Sequence, residues 1–85
     1  MGRRIEYGRE AVKTLSRMDR ATSQRIRRKV SQLASHPDAL ANNISALKGG
    51  EGLMRLRVGD WRIIYTEDLI VVLILKVSPR GSAYD

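Results

Sequence analysis

The sequence lacks the residues from which disulfides and most protein metal sites are built. There is no cysteine, which excludes a disulfide framework and a thiolate-bound metal. His36 is the only histidine, so a histidine-rich metal cluster is excluded as well. No apolar run approaches the roughly 18 residues of a membrane span, and residues 1–6 have no apolar segment typical of a secretory signal. We therefore expect a soluble, cytoplasmic protein that uses no cofactor.

Negative charge is also scarce. The chain of 85 residues has a net charge of +7 and a pI of about 10.6. Residues 1–50 hold eleven Lys or Arg and four Asp or Glu, whereas residues 51–85 hold five of each. The densest basic cluster is Arg25, Arg27, Arg28 and Lys29. Such an excess favours a polyanionic partner, with nucleic acid as the first candidate; a solvated helix surface is the alternative.

The first half of the chain predicts a strand followed by two helices. Residues 3–7 are typical of a short strand, and a first helix begins after Gly8. A second helix begins after Asp19, a good N-cap, and ends near His36 because Pro37 follows. The apolar positions at helical spacing are Ala11, Val12, Leu15 and Met18, then Ile26, Val30 and Leu33. Helices joined by so short a loop should form an antiparallel hairpin.

The second half predicts a three-stranded antiparallel meander. Its strands span 53–58, 61–66 and 70–77. Gly59-Asp60 suits a two-residue type I′ or II′ turn, Pro79 ends the last strand, and residues 38–46 are a polar connection. The length fits one domain over residues 1–85. We expect an α+β fold in which an N-terminal strand and a two-helix hairpin precede the meander, with the helices on one face of the sheet.

The turn also predicts which side chains face each other. If Gly59 and Asp60 form it, Arg57 lies opposite Arg62. Because side chains alternate between the faces of a strand, Arg55 shares their side of the sheet, here called the arginine face. The opposite side is apolar and should pack on the helices. It carries Met54, Leu56, Val58, Trp61, Ile63 and Tyr65.

Three arginines on one face call for an explanation. Like charges directly opposite each other destabilise a sheet by some tenths of a kcal/mol, and no acidic residue of the two strands shares this face. The planar guanidinium group is well suited to binding phosphate. We therefore interpret the cluster as an anion site. The alternative is a solvated face on which the arginines are splayed apart and screened by salt.

Three segments carry motifs in a defined order. They are Leu47-Lys48-Gly49, MRLRVGDWRIIY at 54–65 and VSPRGSAY at 77–84. These segments resemble motifs of the RelE/ParE toxin superfamily of type II toxin–antitoxin systems. The first resembles its leucine–basic–glycine turn. The second resembles its basic strand, the Gly-x-aromatic-Arg turn and the following strand that ends in Tyr, and the third resembles its Arg-x-x-x-Tyr terminus. With the strand and two helices that open the chain, the resemblance covers nearly its whole length and is to the RelE-like branch.

The resemblance implies the RelE-like microbial ribonuclease toxin fold and a ribosome-dependent endoribonuclease. Such toxins cleave mRNA in the ribosomal A site through attack of a ribose 2′-OH on the adjacent phosphate and so inhibit translation. The family's active-site residues correspond here to Arg55, Arg57, Arg62, Arg80 and Tyr84. Arg62 and Arg80 would stabilise the phosphorane, whose extra charge develops in the transition state. Arg55 and Arg57 would hold the RNA backbone.

The proton-transfer group is left open by the sequence. Some family members have lysine where this chain has Arg55 and Arg57. Arginine does not readily release its proton, so proton abstraction falls to Tyr84, to an arginine or to the RNA of the ribosome. Tyr84 could instead stack on a base.

The expected partners are the ribosome with its rRNA and mRNA, and a cognate antitoxin protein. The positions expected to bind RNA outside the active site are Lys48, Arg25, Arg28 and Lys29. The antitoxin is expected because a cationic, partly apolar face that includes Ile64 should attract an acidic amphipathic segment that folds on binding.

Two alternatives remain at this stage. One is a ParE-like toxin that inhibits DNA gyrase by binding, without cleaving RNA, and has no need of the five active-site residues. The other is a nucleic-acid-binding module without enzymatic activity, which the net charge allows but which leaves Tyr84 unexplained.

Overall fold

The computed structural model describes residues 2–47 and 52–79. The elements are β1 (Arg4–Tyr7), α1 (Arg9–Arg17), α2 (Arg20–Ser35), a 3₁₀ helix (Pro37–Asn43), β2 (Ile44–Ala46), β3 (Met54–Val58), β4 (Trp61–Glu67) and β5 (Val71–Pro79). No helix in this part of the chain has the length and apolar character needed to cross a membrane.

Both helices begin where the sequence predicts, and α2 also ends where predicted. Gly8 is the N-cap of α1, and Asp19 is the N-cap of α2. The Asp19 carboxylate accepts hydrogen bonds from the hydroxyl of Thr22 at 2.7 Å and from its backbone N–H at 3.0 Å. These bonds lower the pKa of Asp19, because they stabilise the charged form. His36 caps the other end of α2, and Pro37 opens the 3₁₀ helix.

The predicted antiparallel meander is present as β3, β4 and β5, and it belongs to a sheet of five strands in which β1 and β2 form the edges. The strand order is β1-β5-β4-β3-β2. β1 pairs with β5 in parallel and the other pairs are antiparallel, so the sheet is mixed. The polar connection predicted over 38–46 is wrong in part, because it contains most of the 3₁₀ helix and all of β2. β2 has three residues, too few to show an alternating pattern, and is held by its pairing with β3.

A single apolar core lies between the helices and one face of the sheet, as predicted. The helices contribute Ala11, Leu15, Ile26, Val30, Leu33 and Ala34. The sheet contributes Leu56, Val58, Ile63, Tyr65, Val72, Ile74 and Val77. Met54 and Trp61 pack against this cluster while partly exposed. The apolar side of the β3–β4 hairpin therefore faces the helices.

The β3–β4 register is confirmed at every paired position. Arg57 lies opposite Arg62, and Val58 opposite Trp61. Gly59 has a φ of +58°, and no residue other than glycine in the described chain has a positive φ. A positive φ at the first turn position alone identifies type II′ rather than type I′.

A β-bulge interrupts the pairing of β4 with β5. Ile64 pairs with Lys76 and Tyr65 pairs with Ile74, so Leu75 is the extra residue. A bulge reverses the alternation of side chains beyond it. Ile74 and Val77 consequently both lie in the core, whereas Lys76 is turned to the other face. The backbone N–H of Gly8 donates to the carbonyl of Ile74 at 2.7 Å, next to the bulge.

Arg3 connects three parts of the fold. Its guanidinium donates to the carbonyl of Leu33 at 2.9 Å and, through Nε, to that of Ala34 at 3.4 Å. It also forms an ion pair with Glu67 at the end of β4. The last carbonyls of an α-helix have no partner within the helix. Arg3 thus caps α2 and joins it to the sheet.

Replacing Arg3 should destabilise the fold. We expect Arg3→Met to lower the free energy of unfolding by about 2 kcal/mol, because hydrogen bonds from a charged donor are lost and partly buried acceptors are left behind. Urea unfolding measures the change. Arg4→Met is the matched control, since the Arg4–Glu6 pair is exposed and such pairs contribute less than about 1 kcal/mol. Equal losses in the two variants would contradict the capping role.

Tyr65 should make the fold sensitive to alkali. It is fully buried, and burial, assisted by the charge of Glu67 and opposed by Arg3, raises its pKa from 10.0 to about 12. Between these values the unfolded chain loses the Tyr65 proton, whereas the folded chain keeps it. The contribution of the protonated Tyr65 to the free energy of unfolding is therefore complete below pH 10 and is lost as the pH rises to about 12. We expect the stability of wild type relative to Tyr65→Phe to fall across this window in urea unfolding. A difference independent of pH would exclude this assignment.

Candidate functional site

The arginine face is built from two rows of side chains that cross the sheet. Residues paired across antiparallel strands share a face. The first row is Arg57, Arg62 and Ser78 on β3, β4 and β5. The second is Ser45, Arg55, Ile64 and Lys76 on β2, β3, β4 and β5. Both rows lie on the side away from the helices, so the structure brings together three of the predicted active-site arginines.

The arginine face combines crowded cations with an apolar centre. Ile64 is 2% exposed and lies between Arg55 and Lys76 in its row. Arg57 is exposed, whereas Arg55 and Arg62 are half-buried. Neighbouring strands are about 4.8 Å apart, so cationic side chains stand on adjacent strands around one buried apolar residue. This arrangement can bind an anion over a surface that already excludes water at its centre.

Acidic groups are concentrated at the opposite end of the strands. In the described residues, the ion pairs there join Glu67 to Arg3 and Glu6 to Arg4. The Asp68 carboxylate accepts the backbone N–H groups of Val71 and Ile70, each at 2.7 Å, and these bonds lower its pKa. The carboxylates that are engaged in these bonds therefore lie at the end of the strands away from the Arg57–Arg62 row, whereas the exposed Asp60 lies in the turn beside that row.

The turn at Gly59 links the arginine face to the basic helix. Arg62 donates from Nη1 to the carbonyls of Gly59 and Trp61, both at 3.4 Å. On α2, the Arg25 guanidinium packs against the same glycine. A Cβ added to Gly59 would lie 2.9 Å from Nη2 of Arg25, so the absent side chain gives room for this contact. Arg25 and Arg62 thus reach one turn residue from two elements.

The other basic residues of α2 divide between two sides of the helix. Arg28 and Lys29 lie three and four positions after Arg25, the spacing of neighbours on one helix face. Arg28 is exposed and Lys29 half-buried. Arg27 points elsewhere, with its guanidinium 5.3 Å from the centre of the Tyr7 ring. The predicted RNA-binding residues of α2 therefore form a basic stripe that meets the arginine face at Arg25.

Three predicted site residues lie outside the described chain. They are Lys48, Arg80 and Tyr84. Their assignment to RNA binding and catalysis stays a prediction.

Sequence reasoning missed Lys76 and Ser78. Both reach the arginine face because of the bulge at Leu75. Ser78 lies opposite Arg62 and is 4% exposed, and its hydroxyl forms no hydrogen bond with the described residues. The available signal was weak, because residues 70–75 are apolar at every position and conceal the alternation.

Comparison with known sequences identifies a family. A model of the ParE toxin of type II toxin–antitoxin systems (parDE) matches residues 5–84. A search of curated protein sequences found no match.

Solved structures share both fold and, in one case, appreciable sequence. The chain is similar to archaeal RelE in the RelE–RelB complex from Pyrococcus horikoshii OT3, with 31% identity, a TM-score of 0.79 and coverage of 98% of this chain and 100% of that one. The RelBE2 toxin–antitoxin complex of Mycobacterium tuberculosis gives 19% identity, a TM-score of 0.78 and coverage of 94% and 100%. The intact E. coli RelBE complex gives 14% identity, a TM-score of 0.73 and coverage of 95% of this chain and 99% of that one. The chain therefore belongs to the RelE/ParE superfamily of type II toxin–antitoxin toxins.

Proposed function

We propose that this toxin is a ribosome-dependent endoribonuclease that cleaves mRNA in the A site. The observation that carries the proposal is the row in which Arg57 lies directly opposite Arg62, with Arg55 beside them, on the side of the sheet away from the helices. Such a like-charge cluster destabilises a sheet. A phosphodiester among the guanidinium groups would offset that repulsion, since its oxygens accept hydrogen bonds from the planar forks.

The proposed reaction is an internal transesterification. The 2′-oxygen of a ribose attacks the adjacent phosphorus, the bond from phosphorus to the 5′-oxygen breaks, and a 2′,3′-cyclic phosphate and a 5′-hydroxyl result. One proton leaves the 2′-hydroxyl and one is delivered to the 5′-oxygen. Arg62, together with Arg80, would stabilise the charge of the phosphorane. Arg55 and Arg57 would hold the backbone, and Tyr84 is the candidate for proton transfer or base stacking.

The proposal includes two macromolecular partners in the cytoplasm. The ribosome would be bound through the basic stripe of α2, whose charge suits the phosphates of rRNA. A cognate antitoxin would cover the arginine face. The relatives from P. horikoshii and M. tuberculosis were both crystallised as toxin–antitoxin complexes, and Leu73, half-buried on the same side as the arginines, adds apolar area for an amphipathic segment.

A second candidate is inhibition of DNA gyrase by binding. It is favoured by the family model, which describes the ParE toxin. Gyrase binding needs no group that stabilises a phosphorane, so it leaves the Arg57–Arg62 row unexplained. A DNA supercoiling assay with purified gyrase distinguishes this candidate from the ribonuclease.

Arg62 should contribute directly to the rate of cleavage. We expect Arg62→Ala to lower the single-turnover rate of mRNA cleavage on programmed ribosomes by about 10²- to 10³-fold, because a preorganised donor to the transition state is removed. Primer extension would locate the cut relative to the A-site codon. Arg62→Lys should recover only part of the rate, since it restores the charge but not the planar fork.

The control for Arg62 is Arg4→Ala, on the same side of the sheet but on β1 and paired with Glu6. It should cleave at the wild-type rate. Cleavage by Arg62→Ala as fast as by wild type would contradict the proposed site. A wild-type toxin that arrests gyrase and leaves mRNA intact would establish the second candidate instead.

The α2 stripe should affect ribosome binding and not the chemical step. We expect the double variant Arg28→Gln, Lys29→Gln to bind ribosomes more weakly, with a salt dependence reduced by about one unit of slope for each lost phosphate contact. The cleavage rate at saturating ribosome concentration should not change. Lys13→Gln with Arg17→Gln on α1 removes the same charge from exposed positions. If both double variants weaken binding equally, the effect is one of net charge.

A further inference from the structure

Ser78 has an environment that its fold does not explain. The residue is 4% exposed, and its hydroxyl is one of two buried polar side-chain groups in the described chain that form no hydrogen bond; the other is the hydroxyl of Tyr65. Leaving a buried hydroxyl without a partner is unfavourable. An alanine would fill nearly the same space without that penalty. The hydroxyl therefore contributes nothing visible to stability.

The position of this hydroxyl relates it to the arginines. The register pairs Ser78 directly with Arg62, which in turn pairs with Arg57. Pairs of this kind place their Cβ atoms about 4.5–5.5 Å apart. The three side chains stand in one row on one face, so a group bound between the two guanidinium groups is within reach of the serine. A hydroxyl can donate one hydrogen bond, and an anion held by arginines is the acceptor that this row favours.

Ser78 lies opposite Arg62 only because β5 has a bulge at Leu75. Strict alternation from Ile74 would turn Ser78 toward the helices, together with Lys76. With one extra residue, Val77 enters the core and Ser78 joins the arginine row. Bulges commonly re-aim side chains beside functional sites.

We propose that Ser78 is a phosphate-binding residue, whose hydroxyl donates a hydrogen bond to a non-bridging oxygen of the phosphate held by Arg57 and Arg62. The inference rests on the proposed function, since it takes the phosphodiester of RNA as the ligand. Ser78 orients the phosphate, whereas other groups stabilise the phosphorane and transfer the protons. It adds a neutral donor to the two charged guanidinium groups.

The decisive comparison uses two variants that each remove one orphaned hydroxyl. Ser78→Ala removes it from the arginine row, and Tyr65→Phe removes it from the core. Both should melt at the wild-type temperature or higher at neutral pH. Only Ser78→Ala should weaken the binding of inorganic phosphate. This binding is measured from amide chemical shifts at low salt, with chloride of equal ionic strength as the reference. We expect a loss of about 10-fold or more, typical of a hydrogen bond to a charged group.

A third variant controls for the substitution itself. Ser16→Ala changes an exposed serine on α1, on the other side of the sheet from the arginine face, and should keep wild-type phosphate affinity. Wild-type affinity in Ser78→Ala overturns the inference. So does a loss of affinity that accompanies a lower melting temperature, because that result identifies a structural role.

Cleavage of mRNA on ribosomes is a separate test of the role of Ser78. Ser78→Ala should reduce the single-turnover rate about 10- to 100-fold, and Tyr65→Phe and Ser16→Ala should not. If wild type cleaves and Ser78→Ala cleaves equally well, the inference fails while the ribonuclease stands. If wild type does not cleave but binds phosphate in a Ser78-dependent manner, the phosphate site stands and the ribonuclease fails.

Discussion

In the β3–β4 hairpin, the turn at Gly59 sets the register, and the register assigns every side chain of both strands to a face. A slip of one residue would exchange the two faces. Arg57 and Arg62 would then enter the core as buried charges, and Leu56 and Ile63 would leave it. Gly59 resists that slip through its backbone, which has a φ of +58°, and through the room it leaves for the Arg25 guanidinium. The core and the arginine face therefore depend on the same short turn. A substitution that changes the register at this turn would change both.

The arginine face opposes stability in two independent ways. Arg57 and Arg62 repel each other across the strands, and the Ser78 hydroxyl is buried without a partner. A single conservative substitution would relieve either one. Destabilising features that share one row are typical of functional sites, where binding rather than folding accounts for the residues present.

The parts of the fold that could be predicted are those determined by neighbouring residues. Asp19 caps its helix through Thr22, Pro37 ends it, and the Gly59 turn pairs two strands with clear alternation. The parts that could not be predicted depend on distant contacts. β2 is too short to show a period, and the parallel pairing of β1 leaves no local mark. The bulge at Leu75 lies in a segment that is apolar throughout, so the faces of Lys76 and Ser78 follow only from the packing of Ile74 and Val77 against the helices.

A shared fold does not decide the activity of this toxin, because one scaffold can carry sites of different chemistry. The family model describes ParE, whereas the solved structure that is 31% identical is a RelE. Both belong to the superfamily of this chain. A toxin that acts only by binding a protein gains from cations on its rim, but it has no use for a buried hydroxyl beside two guanidinium groups in one row. A phosphodiester would use all three, since its two non-bridging oxygens can accept hydrogen bonds from the planar guanidinium groups and from the hydroxyl together. The chemistry of this one row therefore favours the ribonuclease over the gyrase inhibitor.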